Sequence, residues 1–273
     1  MMRSRLFDPR AIGRERLATL LLPVVVGVMV LVGWEVLVRV AEIPVYVLPG
    51  PFRILARLVE DWDTLSASLL VTLRITAMAL AAAAIGGGGL AMLFAQSRWI
   101  EASLFPYAVV LQVTPIVAIA PLILIYVRDT EMALLLCAWL VAFFPILSNT
   151  TLGLRSVDRS MVDLMRLYRA SRWQILWHLR MPAALPYFLG GLRIAGGLSL
   201  IGAVVAEFTA GTAAGGSGLA YRILESSYRL DIARMYAALL LLTSTGIAIF
   251  LALSGLSHAL LHRWHESAAN PDQ

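Results

Sequence analysis

Lysine is absent from this 273-residue chain, and cysteine occurs once, at Cys137. A Walker A loop requires a lysine beside the phosphates, and Schiff-base catalysis uses a lysine amine, so both are excluded. A single cysteine also excludes an intrachain disulfide. If this chain depends on ATP, another polypeptide must bind and hydrolyse it. We therefore expect no catalytic residue, cofactor or metal site in the chain.

Charged residues are scarce as well, at 14% of the chain against 60% hydrophobic residues, and the mean hydropathy is +0.81. A bilayer-crossing helix needs roughly 20 apolar residues. The sequence predicts an all-α polytopic membrane protein with six transmembrane helices. Their predicted bounds are about 17–40, 69–95, 104–127, 132–152, 187–210 and 235–261.

The arginines indicate how these spans are oriented. Thirteen lie in the tail 1–16, at Arg98, in the segment 155–186 and at Arg263, against six in the alternate connections. The positive-inside rule therefore predicts both termini in the cytoplasm, with a transmembrane domain at 17–262 between tails 1–16 and 263–273. The first apolar run is too long for a signal-peptide core, so we expect a retained anchor. The modest net charge of +5 does not indicate nucleic-acid binding.

The most informative connection is the basic segment 155–186, which contains six arginines. Apolar residues recur in it at helical spacing: Leu164, Leu167, Ile175, Leu176 and Leu179. Pro182 and Pro186 are expected to end the helix before the next span. A basic helical pair at the cytoplasmic surface is suited to contact a soluble partner.

Two further segments carry structural predictions. The turn at 48–51 is followed by an amphipathic pattern that predicts a short helix on the outer surface. The glycines at 86–89 are expected to allow close approach of a neighbouring helix. Near the chain end, His258, His262 and His265 share a helical face, which permits a metal site but is more typical of an interfacial anchor.

Polar residues and prolines interrupt the third predicted span. Gln112, Thr114 and Pro115 are therefore candidates for a solute pathway, because broken helices often surround transport sites. The alternative is an ordinary kink. Glu207 is the clearest case of a charged residue inside a predicted span. It is either a pathway or gate residue, or a structural residue near the outer interface.

The segment 155–186 resembles the cytoplasmic loop that characterises bacterial ABC importer permeases, the binding-protein-dependent transport inner-membrane family. In that family the loop begins with Glu-Ala-Ala, has a Gly after three further residues, and later ends in a sequence like Ile-x-Leu-Pro. Here Asp163 takes the Glu position, residues 170–174 match Ala-Ser-Arg-Trp-Gln, and residues 181–186 match the end. Arg169 stands at the glycine position. Either the turn avoids positive φ there, or it tolerates about 1 kcal/mol of strain.

The similarity extends to the nitrate, sulfonate, taurine and pyrimidine-precursor branch. Short matching segments follow in the same order over about residues 48–224: 48–51, 112–116, 120–122, 191–195, 205–208 and 218–219. The resemblance implies a type I importer permease in the bacterial inner membrane. It further implies a homodimer in membrane lipid, bound by separate ABC ATPase subunits, that receives solute from a periplasmic or lipoprotein solute-binding protein. The solute remains open among small organic or inorganic anions, pyrimidine-like compounds and riboflavin.

Seven residues of the loop are the candidates for the ATPase contact that this resemblance implies: Asp163, Arg166, Arg169, Ala170, Ser171, Arg172 and Trp173. Two other functions would make different demands on the sequence. A proton-coupled secondary transporter would need ionisable residues near mid-membrane on several spans, and only Glu207 and Glu35 come close. A membrane scaffold would need neither the interrupted third span nor this loop.

Overall fold

A computed structural model describes the backbone of residues 9–211 and 218–261, with side chains from residue 21 onward. All regular structure in this part of the chain is helical, which confirms the predicted all-α class. The helices are α1 Pro9–Val40, α2 Pro51–Glu60, α3 Trp62–Gln96, α4 Arg98–Val113, α5 Ile116–Tyr126, α6 Thr130–Arg155, α7 Arg159–Leu167, α8 Arg172–Ile175, α9 Met181–Ala210, α10 Leu219–Tyr228 and α11 Ile232–Leu261. The predicted C-terminal tail 263–273, with His265, lies outside the described residues, as does His262.

Among the described residues, five helical segments are long and apolar enough to cross a membrane: α1, α3, α6, the segment from α8 through α9, and α11. The predicted third span is instead two helices, α4 and α5, which meet at a 101° bend. Thr114 and Pro115 are extended between them, because proline lacks an N–H and disfavours helix at the preceding residue. With 11 residues, α5 is about 16 Å long and too short to cross a bilayer alone. The six-span prediction thus holds with its third member broken.

One compact unit comprises the described residues up to Asp61 together with residues 226–237. In it, α2 begins where Gly50 is extended and Pro51 occupies the first helical turn, a position that needs no N–H donor. Ile54 is the buried residue of α2. The short helix predicted after the 48–51 turn is therefore present.

Ion pairs hold this unit together. Glu35 and Arg39 pair at 2.6 Å, and the other carboxylate oxygen of Glu35 accepts from the backbone N–H of Phe52. Arg57 of α2 donates to Asp231 at 2.5 Å. This hydrogen bond is the main reason that the pKa of Arg57 is raised above its ordinary value.

The second unit comprises residues 62–225 and the described residues from 238 onward. Its core is formed where α3, α6 and α9 pack together through small side chains. A Cβ added to Gly87 in α3 would lie 3.1 Å from the carbonyl oxygen of Phe143, so this glycine does allow close approach. Gly202 in α9 is tighter, since a Cβ there would lie 2.8 Å from the Cα of Ala138 in α6. Gly202 was not predicted from the sequence, because only the consecutive glycines at 86–89 stand out there.

The expectation that Pro182 and Pro186 end a helix was wrong. The chain continues from α8 through a π-helical turn, Leu176–Arg180, into α9. The wider turn places Pro182 in the first turn of α9, where its missing N–H needs no partner. Pro186 lies inside α9 without ending it. The basic loop is therefore joined to a membrane-crossing helix by uninterrupted helical backbone.

Candidate coupling loop and solute pathway

The first helix of the basic loop, α7, is capped and exposed. The carboxylate of its N-cap residue Asp158 accepts from the backbone N–H of Ser160 at 3.0 Å, and hydrogen bonds to Ser160 lower the pKa of Asp158. Asp163 and Arg166 form an ion pair at 3.2 Å. No residue of α7 is buried. Large apolar side chains stand exposed on or just after it: Met161, Leu164, Leu167 and Tyr168.

The turn after α7 shows which backbone conformation Arg169 adopts at the position where glycine is expected. Arg169 has a φ of 57°, so it adopts the left-handed conformation that glycine would favour. The backbone N–H of Arg169 donates to the carbonyl of Arg166, and that of Ala170 donates to the carbonyl of Met165. These two bonds form a Schellman motif, whose left-handed position Arg169 occupies. The loop thus forms the left-handed turn that a glycine would favour, with an arginine in that position.

Ser171 starts the second helix of the loop. Its hydroxyl accepts from the backbone N–H of Gln174 at 3.2 Å, and the Gln174 side chain accepts from the backbone N–H of Ser171 at 2.7 Å. This reciprocal arrangement is a capping box. The spacing of Ser171 and Gln174 could have revealed it in the sequence. Ser171 therefore has a structural role, independent of any partner.

All seven predicted coupling residues lie together on this loop. Six of them are exposed, and Ala170 is half-buried at the turn. Trp173 is 62% exposed, which is unusual for a large apolar side chain unless lipid or a partner covers it.

Three of the four predicted pathway residues also lie together. Gln112, Thr114 and Pro115 line a cavity of about 330 Å³ at the bend between α4 and α5. The hydroxyl of Thr114 donates back to the carbonyl of Val110 at 2.6 Å. Because Pro115 has no N–H, the carbonyl of Leu111 lacks its helical partner at this position. The bend thus presents polar backbone to the cavity.

The other walls of this cavity are apolar. They come from α4, α5, α6 and α9: Leu111, Val113, Ile116, Ile119, Leu140, Val141, Pro145 and Leu198. Among the described residues, no charged side chain lines it. The sequence gave no signal for Leu140, Val141 or Leu198, since a pathway wall of apolar residues resembles any other helix face.

Glu207 is placed elsewhere. It is 1% exposed and does not line the cavity. Its carboxylate accepts from the Thr72 hydroxyl at 2.8 Å and from the backbone N–H of Ala220 at 3.0 Å. Thr72 in turn accepts from the backbone N–H of Leu219 at 2.9 Å. These bonds join α3, α9 and the start of α10, a geometry that favours the structural alternative for Glu207.

Comparison with known proteins agrees with the fold and the loop. Residues 84–268 match the family of the binding-protein-dependent transport system inner membrane component. The riboflavin transport system permease protein RibX of Chloroflexus aurantiacus is 34% identical over 94% of this chain and 95% of its own length. A probable ABC transporter permease protein of Haemophilus influenzae is 31% identical, over 87% of this chain and 95% of the relative.

A third relative is the formylaminopyrimidine transport permease protein ThiX of Halalkalibacterium halodurans, 31% identical over 88% of this chain and 94% of its own. Neither a proton-coupled transporter nor a scaffold explains these matches. The chain has helices that can cross a membrane, and it works with an ATPase and a solute-binding protein as a transport component rather than an enzyme. It belongs to the binding-protein-dependent transport system inner membrane component family and is a multi-pass permease subunit of an ABC importer.

Proposed function

We propose that this chain forms the solute pathway as a homodimer, that the 155–186 loop is its contact with a separate ATPase, and that ATP is bound only by that partner. The observation that carries the proposal is the shape of the loop. Two capped helices, joined by a Schellman turn, continue through a π turn into α9 without a break. A push on this loop would therefore be transmitted to a membrane-crossing helix that packs on α3 and α6.

The exposed side chains of α7 supply the contact surface. Leu164 and Leu167 are 53% and 81% exposed, and Tyr168 is 82% exposed. Exposed apolar and aromatic residues grouped at one place mark protein interaction sites. Arg169, which is exposed and directly follows Tyr168, would meet acidic groups on the ATPase.

Coupling can be tested in proteoliposomes that contain the assembled transporter. Leu167→Glu should lower solute-stimulated ATP hydrolysis and uptake together, because the contact would bury a charge. Tyr228→Glu is the matched control, since Tyr228 is 80% exposed but lies in α10. Normal uptake by the Leu167→Glu transporter would refute the loop contact.

A second copy is needed to complete a pathway. The cavity beside Gln112 and Thr114 lies at a broken span, and α5 is too short to cross the bilayer. Two copies related by a two-fold axis would place two such cavities around one path. Cross-linking of single-cysteine variants at Val113, which is 69% exposed, should give a covalent dimer across that axis.

The lining favours a neutral heterocyclic solute over a small inorganic anion. The cavity offers the amide of Gln112, the hydroxyl of Thr114 and apolar walls, and the described part of the chain places no cation there to balance an anion. Two relatives carry riboflavin and formylaminopyrimidine in their names, which is consistent with this chemistry. Nitrate permeases are also related, at 29% identity over 68% of this chain in one case.

Uptake assays with riboflavin, a formylaminopyrimidine, nitrate and an aliphatic sulfonate distinguish these classes. We expect uptake of one of the first two, and a several-fold loss when Gln112 is changed to Leu, since one hydrogen bond to the solute is removed. Val117→Ala is the control, because Val117 lies in α5 but does not line the cavity. Uptake of nitrate or sulfonate alone would exclude the neutral solute.

The orientation is proposed from the arginine distribution, with both termini in the cytoplasm. Cys137 is buried, so a Cys137→Ala background is suitable for labelling. Ser160→Cys should then be protected from a membrane-impermeant maleimide in intact cells, whereas Tyr228→Cys should react. The reverse pattern would invert the topology.

A further inference from the structure

Two adjoining cavities, of about 680 and 560 Å³, lie between the basic loop and the turn that joins α3 to α4. Both are lined by Arg98, Arg166 and Arg180. We call the combined feature the basic cleft. In the part of the chain that the structure describes, its arginines are Arg98, Arg155, Arg159, Arg166, Arg172 and Arg180, and Asp163 is its one acidic wall residue.

Only part of this positive charge is balanced within the protein. Arg155 pairs with Glu101, Arg166 pairs with Asp163, and the Arg180 guanidinium donates to the Ala95 carbonyl at 2.6 Å. The remaining three arginines, Arg98, Arg159 and Arg172, form no ion pair among the described residues. Like charges that share a cavity repel one another, so an anion in the cleft would relieve this repulsion.

A neutral hydrogen-bond donor belongs to the wall of the larger cavity. Gln96 lines the larger cavity, and its amide nitrogen is buried without a hydrogen-bond partner among the described residues. An unsatisfied buried donor costs about 1–3 kcal/mol. The arginines and this amide are all donors, and several donors around one space suit the multiple acceptor oxygens of a phosphate group.

The position of the cleft identifies the source of that phosphate. It lies where the membrane-crossing helix α3 ends, and Trp99 at its edge is 79% exposed. Leu93, one turn before the end of α3, is also half-exposed. Tryptophan and arginine in such positions anchor at the headgroup level, and basic pockets on the cytoplasmic side bind anionic headgroups.

We propose that the basic cleft binds the phosphate group of an anionic phospholipid headgroup. Of the residues named for the ATPase contact, Asp163, Arg166, Ala170 and Arg172 line the cleft, whereas Leu164, Leu167 and Arg169 do not. The first group is therefore assigned to lipid, and the second is left to the ATPase. Lipid would support the loop from the membrane side while its α7 surface remains available to the ATPase. Binding to the permease alone therefore tests this proposal without depending on coupling or on the solute.

The experiment is native mass spectrometry of the purified full-length permease, incubated with equal amounts of phosphatidylglycerol and phosphatidylcholine. The unmodified chain should retain phosphatidylglycerol preferentially. Arg98→Gln and Arg172→Gln should each lower this retention about five-fold, since one basic residue near an anionic headgroup contributes on that scale. Gln96→Leu, which leaves the net charge unchanged, should lower it as well.

Arg128→Gln is the matched control, because it removes one exposed arginine that does not line the cleft, and it should retain phosphatidylglycerol normally. Equal retention by Arg98→Gln and the unmodified chain would overturn the proposal. A parallel arm measures thermal stabilisation by inorganic phosphate. Stabilisation that Arg98→Gln abolishes, without retention of phosphatidylglycerol, would overturn the lipid source and assign the cleft to a free anion.

Discussion

The hydroxyl of Thr72 donates to the carboxylate of Glu207 at 2.8 Å, although the two residues are 135 positions apart in the sequence. The same hydroxyl accepts from the backbone N–H of Leu219, and Glu207 also accepts from Ala220. Thr72 therefore satisfies two buried groups at once, on α9 and on α10. A buried carboxylate in a membrane-crossing helix is tolerated because these donors surround it.

Thr72→Val tests this arrangement with almost no change of shape. It removes the donor to Glu207 and leaves the backbone N–H of Leu219 unsatisfied, so we expect a loss of about 1–3 kcal/mol in the free energy of unfolding. Thermal unfolding of the purified permease should show a fall of several degrees in Tm. Thr76→Val is the control, since that buried hydroxyl donates to a carbonyl of its own helix and its loss should have little effect.

The contact between α6 and α9 depends on Gly202. A Cβ added there would lie 2.8 Å from the backbone Cα of Ala138, so Gly202→Ala must displace a helix and should cost about 1–3 kcal/mol. Gly197, also in α9, has no such neighbour within 4 Å. Gly197→Ala should leave Tm unchanged or raise it, because alanine favours helix by about 1 kcal/mol. Equal Tm values for the two variants would contradict this packing.

The left-handed backbone at Arg169 gives a third prediction. Arg169→Gly should be more stable than Arg169→Ala by about 1 kcal/mol, because only glycine adopts a φ of 57° without strain. The comparison is made by denaturant unfolding of the two purified variants. If alanine were equally stable, the turn would not hold positive φ in solution.

The pair of Arg57 and Asp231 is suited to a double-mutant cycle. Each side chain is less than one-third exposed, so we expect a coupling of about 0.5–1 kcal/mol between Arg57→Gln and Asp231→Asn. The coupling should shrink in high salt, which screens partly exposed charges. A cycle that closes to zero at low salt would show that the pair adds nothing to stability.

Much of the loop could be predicted from the sequence. The spacing of Asp163 and Arg166 and of the apolar residues around them describes α7, because helical neighbours are determined by local geometry. The same local reasoning failed at Pro182, since a π turn upstream changes which backbone groups need partners. Gln112, Thr114 and Pro115 line one cavity, because proline breaks the helix at its own neighbours, and their role in a solute pathway stays a prediction.

By itself, the sequence determined that this protein is a helical membrane permease with a basic loop, since hydropathy, arginine placement and motif spacing are local properties of the chain. Tertiary packing, in contrast, brings Glu207 to Thr72 and Gly202 to α6, and it places Arg98 and the arginines of the basic loop around one cleft. These contacts join residues far apart in the chain, and no local periodicity encodes the distance between two helix faces. Close packing and the need to satisfy buried polar groups select those partners.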